Sequence, residues 1–229
     1  MIRLDKLTKS FGSKVIIKNW EYCFENGRIY GLIGRNGIGK TTIMKCISGL
    51  EEPDEIAIFT EQGDVSKKDY LSRNIYYVSD EPVYYNELTL HEHLWMICKV
   101  EGYKKEEAKQ KIQYLIEKYK MKEYLNFYPP AMSKGTLQRM LLLFTFLRKS
   151  PNFLLDEPFN GLDPIQLKQS LELCKGLKDE KCILISSHDI ESLEEICDVF
   201  LIFTKEEIKE ITGSIDRVRV NKMIGDSYD

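Results

Sequence analysis

Lys40 and Thr41 follow three closely spaced glycines in LIGRNGIGKTTIMKCISGL, residues 32–50. That spacing suits a polyphosphate. Gly34, Gly37 and Gly39 permit backbone conformations and close approaches that side chains block, so successive N–H groups can turn inward on an anion. A helix starting behind the loop adds its positive end. In the pattern G-x-x-x-x-G-K-[ST], Gly34 to Thr41, the lysine neutralises the β- and γ-phosphates and the next hydroxyl ligates the accompanying Mg²⁺. A chance Gly-rich turn would lack the right context. Here RIYGLI ahead of the loop reads as a buried strand, and Ile43, Met44, Ile47 and Leu50 continue behind it at helical spacing.

Farther along, FLLDEP ends an apolar run on two carboxylates, Asp156 and Glu157. An aspartate at the end of a hydrophobic strand can lie beside the loop's Mg²⁺, and an adjacent carboxylate can orient or deprotonate an attacking water. Alone, such a pair is a common acidic turn; downstream of a phosphate loop it is the second half of a hydrolytic site. ILISSH then places His188 where an imidazole could donate to a γ-phosphate. A lone histidine is more often structural, so His188 depends on its company.

The elements that must position these residues are those of an α/β protein. NFLLDEP, KCILISSH and DVFLIF are short apolar runs separated by helical patterns, as in a parallel sheet with helices on its faces. Ahead of them, VII at 15–17, the alternation of Trp20, Tyr22 and Phe24, and the Asn26-Gly27 turn predict an antiparallel opening over residues 1–31 with a tight hairpin at Asn-Gly. A helical zone follows from about Thr89 to Lys149. Thr89 and Glu92 have capping-box spacing ahead of Leu90, Leu94 and Ile97, and Ala108, Ile112, Leu115, Ile116 and Tyr119 form a second stripe. With 229 residues and 43% hydrophobic content the chain can bury a sizeable core, and no internal repeat or linker marks a second independent domain.

Composition also excludes several classes. No apolar stretch approaches the ~20 residues that cross a bilayer, and MIRLDKLTKS lacks a signal-peptide core, so a cytoplasmic chain is expected. The six cysteines have no C-x-x-C spacing and are expected to be reduced, buried small hydrophobes. A net charge of −3 with interspersed signs gives no sign of a nucleic-acid partner.

In order, GRNGIGKTT, MSKGTLQRM, FLLDEP, NGLDP and SSH resemble the ATP-binding subunit of ABC transporters over nearly the whole chain. MSKGTLQR is the specific element: it is similar to the family's LSGGQ signature, with Ser133 and Gly135 retained, Lys134 replacing a glycine and Thr136 replacing the glutamine. Ser133 can cap a helix carrying Leu137, Met140, Leu141 and Phe144, leaving a positive, amide-rich end. The resemblance implies a P-loop NTPase core with a mostly parallel sheet, an N-terminal antiparallel β subdomain and an α-helical subdomain inserted at about residues 84–150, all within one ATP-binding domain spanning 1–229.

It further implies ATP and Mg²⁺ as cofactors. Asn36, Gly37, Gly39, Lys40, Thr41 and Thr42 would contact phosphate, Thr41 and Asp156 the metal. Glu157 would be the catalytic base and His188 the switch histidine. Phe11 falls where an aromatic residue stacks on adenine, although a hairpin core position would also suit it. Ser133 and Gly135 would meet the γ-phosphate held by a second copy. Asp163 resembles the residue that communicates across that dimer, and it is equally suited to N-capping a helix with Pro164 at N1. Asp80, in YYVSDEP, stands where most members have a magnesium-ligating glutamine that relays to the membrane subunit. A carboxylate keeps the oxygen ligand, adds negative charge and cannot donate unless protonated.

DEPVYYNELTLHEHL resembles bacterial exporter-type members. The implied partners are a second ATP-binding subunit and a separate transmembrane permease, with the chain peripheral on the inner face of the cell membrane. Tyr84, Tyr85, Leu88 and Trp95 are expected to line a groove for a permease coupling helix, with core packing the other reading for Leu88 and Trp95. A soluble relative acting on ribosomes or nucleic acid is the alternative; such relatives usually carry two domains or long coiled-coil insertions.

Overall fold

The structure is a computed structural model that describes residues 1–60, 63–65, 71, 73–81, 83–178, 181–205 and 207–225. The described chain forms two compact units: residues 1–78, 150–158 and 178–229, and residues 79–149 and 159–177. The second takes in more chain than an insertion at about 84–150, because a helix after residue 158 joins it.

In the first unit, β1 (Ile2–Phe11) and β2 (Lys14–Phe24) form an antiparallel hairpin, and β4 (Glu55–Thr60) and β5 (Gly63–Asp64) extend it in the order β2-β1-β4-β5. A second sheet combines β3 (Arg28–Ile33), β6 (Ile75–Val78), β7 (Asn152–Asp156), β8 (Cys182–Ser187), β9 (Val199–Phe203) and β10 (Ile208–Thr212) in the order β10-β9-β3-β8-β7-β6. All of its pairings are parallel except β10 with β9. The fold is thus a P-loop NTPase core with an antiparallel N-terminal sheet. Continuous apolar runs such as VFLIF are buried on both faces, so they show no alternation. α1 (Lys40–Ser48) sends Ile43, Met44 and Ile47 into a core shared with Tyr30 and Leu32 of β3 and Trp20 and Phe24 of β2. The short helices α6 (Ile190–Glu194) and α7 (Arg217–Gly225) also belong to this unit.

Three expectations are corrected here. Asn26-Gly27 closes no hairpin: β2 pairs with β1, whereas β3 pairs with β8 and β9, so the turn carries the chain from one sheet to the other. Leu50 is 63% exposed, because left-handed Gly49 ends α1 one residue earlier. Cys23 is exposed and Cys197 half-buried; only the other four cysteines are buried. Burial pushes the Cys46 thiol up to about 11 and those of Cys174 and Cys182 up to about 12.

The second unit holds α2 (Leu90–Val100), α3 (Lys105–Lys118), α4 (Lys134–Leu147) and α5 (Pro164–Gly176), with α4 packed against both α2 and α5. Buried His93 fixes the approach to α2. Its Nε2 accepts the Tyr85 N–H at 3.0 Å, which leaves Nδ1 to carry the proton and donate to the Thr89 carbonyl at 2.9 Å. The capping box is formed as its spacing predicts. The Thr89 N–H and hydroxyl donate to Glu92 Oε2 at 2.8 and 2.9 Å, and the Glu92 N–H donates back to the Thr89 hydroxyl at 3.3 Å.

Thr89→Ala is therefore expected to lower unfolding stability by about 1 kcal/mol, read by urea denaturation. The Thr89 N–H, followed by the Thr89 hydroxyl, holds the Glu92 carboxyl below its ordinary 4.5. A depressed carboxylate stabilises fully above its unfolded value and loses that contribution as pH falls through the folded one. The wild-type advantage over Thr89→Ala is accordingly expected to shrink when the titration is repeated in acid.

Candidate functional site

β3 delivers the loop, running between β8 and β9 to a fully buried Ile33. Gly34 then passes so close to β9 that a Cβ there would lie 2.9 Å from the Phe203 carbonyl oxygen. Gly39 has φ 127°, a conformation other residues rarely adopt, and α1 begins at the next residue. Asn36, Gly37 and Thr41 are exposed and Thr42 is half-buried, while Lys40 is buried. The Lys40 ammonium folds back under its own loop, donating to the carbonyls of Gly34 at 2.7 Å and Arg35 at 3.3 Å. It also lies 3.2 Å from Glu157 Oε1. That contact is an ion pair without hydrogen-bond alignment, for the same oxygen is buried with no hydrogen-bond partner.

Asp156 and Glu157 stand at the end of β7, beside β8 in parallel register. Asp156 is almost fully buried; Oδ2 accepts the Tyr77 hydroxyl at 2.9 Å and Oδ1 the Ser186 hydroxyl at 2.5 Å. Glu157 has φ 46°, a left-handed conformation costing a non-glycine residue about 1–3 kcal/mol. Its N–H donates to Ser186 Oγ at 2.9 Å, and its Oε2 accepts from His188 Nδ1 at 3.0 Å. His188 is not a helix cap; Asp189 caps α6 instead. The first unit thus brings Lys40, Glu157 and His188 into one contact chain, with Asp156 behind it.

Tyr77 and Ser186 are the members of this cluster that the motifs do not single out. A polar pair, Ser186-Ser187, closing the otherwise apolar CILISS is the signal that marks Ser186. Phe11, half exposed at the tip of the β1–β2 hairpin, is no core residue. The Lys9 ammonium lies 4.5 Å from its ring centroid and is itself held by Glu51 at 2.8 Å and the Glu52 carbonyl at 2.6 Å.

In the second unit Ser133 caps α4, accepting the Thr136 N–H at 3.3 Å with the Thr136 hydroxyl 3.0 Å away. A Cβ on Gly135 would overlap the terminal amide of Gln166 on α5, which would have to swing aside. Asp163 caps α5, accepting the N–H groups of Ile165 and Gln166 at 2.9 Å. Asp80 is exposed at the start of this unit. Leu88 and Trp95 line a groove of about 700 Å³ with His91, Met96 and Lys99, whereas Tyr85 is exposed on the loop before it. Among the described residues no helix is long and apolar enough to cross a membrane.

A glycine-turned loop at the carboxyl end of a central parallel strand, with a carboxylate pair at the end of the next strand but one, defines a P-loop nucleoside triphosphatase. The ABC transporter family model matches residues 17–160. The chain is 30% identical over 226 residues to the ABC-type transporter ATP-binding protein EcsA of Bacillus subtilis, covering 96% of this chain and 89% of that one. It superposes on a solved ATP-binding subunit of an ABC transporter with a TM-score of 0.83 at 29% identity, covering 98% of this chain and 94% of that one. It also shares its fold with the dimeric bacterial cassette MJ0796, at a TM-score of 0.81 and 21% identity over 93% of this chain and 98% of the other. The chain belongs to the ABC transporter family. It is an ATP-binding subunit and an ATP hydrolase.

Replacing Lys40 by Ala removes the buried cation around which the loop closes. ATP binding is expected to weaken roughly 10- to 100-fold, the worth of charge-assisted hydrogen bonds, with turnover falling alongside. Binding of a fluorescent ATP analogue and phosphate release check this; normal values for both would show that the loop does not hold phosphate.

Proposed function

We propose that the chain binds Mg-ATP on its phosphate loop and hydrolyses it with Glu157 as base. In a dimer of ATP-binding subunits it would drive a separate transmembrane permease from the inner face of the cell membrane, in the export direction. The observation that carries the catalytic part is the shared Lys40–Glu157–His188 contact. An arriving triphosphate offers Lys40 a better anion than Glu157, and the loop N–H groups with the start of α1 hold its β- and γ-phosphates. Released from Lys40, the Glu157 carboxylate takes a proton from the attacking water as the γ-phosphoryl bond to ADP breaks. His188 fixes that carboxylate through Nδ1. Donating to the γ-phosphate as well requires a proton on Nε2, hence an imidazolium.

The donor set suits Mg²⁺. The Asp156 carboxylate and the Thr41 hydroxyl are hard oxygen ligands, and each Asp156 oxygen accepts one protein hydrogen bond here, leaving a lone pair. When bound, the ion would neutralise charge developing on the phosphates. By resemblance Asp80 adds a further oxygen and Phe11 a face for adenine. Ser133 and Gly135 would offer the capped end of α4 to the γ-phosphate held by a second copy, with Asp163 near the same dimer contact, so each ATP joins two protomers. A relative named as a transporter subunit, aligned over nearly the full chain, supports transport over the ribosomal or nucleic-acid reading.

If ATP joins two copies, Glu157→Gln binds ATP, hydrolyses it slowly and dimerises with Mg-ATP, and adding Ser133→Arg abolishes that dimer. Light scattering of both variants with and without Mg-ATP reads this. A complex in which each ATP touches one protomer only would contradict it. Asp80→Ala is expected to impair permease-coupled transport more than nucleotide binding. Unchanged transport in membranes containing the permease would remove Asp80 from the coupling.

A further inference from the structure

We infer that Ser186 is the positioning residue for the hydrolytic carboxylate. The inference rests on Glu157 being the base, as proposed above. A backbone N–H can only donate, so the 2.9 Å contact from Glu157 N makes Ser186 Oγ an acceptor. A serine has one hydroxyl proton, and it is left for Asp156 Oδ1 at 2.5 Å. The Tyr77 hydroxyl donates to the other oxygen of the same carboxylate at 2.9 Å. Every direction in the chain is thereby set, from Glu157 N–H to Ser186, and from Ser186 and Tyr77 to Asp156.

Such a chain polarises itself. The charge of Asp156 draws on the Ser186 proton, which makes Oγ a better acceptor for the Glu157 N–H. Ser186 is fully buried, so water does not readily take over either bond. The peptide leading into Glu157 is held in place, and with it the left-handed φ of 46° that aims the carboxylate at both Lys40 and His188. Strained conformations persist where the surroundings over-determine them, and Ser186 supplies that constraint here. Register explains why this serine serves: Ser186 is the cross-strand partner of Asp156 in the β7–β8 ladder.

Steady-state hydrolysis by Ser186→Ala, Ser186→Thr and near-isosteric Ser186→Cys, each alone and with Glu157→Gln, tests the inference alongside equilibrium binding of a fluorescent ATP analogue. Ser186→Ala is expected to lower kcat about 10- to 100-fold, as slight misplacement of a reacting group does, while KM and ATP binding change less than about threefold. Ser186→Cys, a weak acceptor of similar size, follows Ala, and Ser186→Thr, which restores the hydroxyl, recovers most of the loss. In the Glu157→Gln background Ser186→Ala has no further effect. Wild-type kcat in Ser186→Ala or Ser186→Cys overturns the inference, as does an equal loss with and without Glu157→Gln, or a loss of binding and stability that Thr does not repair. If Glu157→Gln itself turns over at the wild-type rate, the functional reading fails and this inference with it.

Discussion

A lysine ammonium cannot be buried without compensation, since removing it from water costs several kcal/mol even after relaxation. Lys40 is buried, and the first unit is arranged to meet that cost. Two carbonyls of its own loop and the Glu157 carboxylate surround it. For those carbonyls to face inward the chain must double back within six residues, and the turn at Gly37 and the unusual φ at Gly39 allow it. The compensation is also exchangeable: a triphosphate can replace a carboxylate around the ammonium, whereas a fully satisfied internal ion pair would gain little by opening.

Strand order makes that exchange possible. In a parallel sheet the carboxyl ends of β3, β8 and β7 lie side by side, so the loop after β3, His188 after β8 and Glu157 after β7 emerge at one edge. Behind them the ladder partners Asp156 and Ser186 form a buried, hydrogen-bonded layer. The front of the site is strained, and the back is held by hydrogen bonds between strands. In the proposed mechanism the Glu157 carboxylate first neutralises Lys40 and then activates water, which needs both: freedom to part from the ammonium and a backbone that does not move when it does.

The sequence is most legible where one local rule is sufficient. RIYGLI is β3 from first residue to last, and Thr89 with Glu92 forms its capping box, because both depend on contiguous residues. Pairing partners are not local. Asn26-Gly27 has the chemistry of a hairpin turn, yet β3 is apolar on both faces and belongs in a parallel sheet, so tertiary burial overrides the turn. Leu50 continues the helical stripe in one dimension, but the left-handed Gly49 ends the helix before it. The site shows the same division. Lys40, Asp156, Glu157 and His188 follow from motif spacing, whereas Ser186 and Tyr77 acquire their roles only when strands far apart in sequence come into register. For the same reason α5 joins the helical unit although it follows a strand of the other.

The central claim is that Glu157 is an exchangeable partner of Lys40, competing with phosphate before it serves hydrolysis. Calorimetric titration of Mg-ATP into the wild type and Glu157→Gln tests it most directly. The neutral amide neither occupies the ammonium as an anion nor repels the triphosphate, so the variant is predicted to bind Mg-ATP at least as tightly as the wild type. Binding weakened about tenfold or more, a loss of about 1.4 kcal/mol, would contradict the account by showing that Glu157 helps to build the phosphate site rather than yielding it.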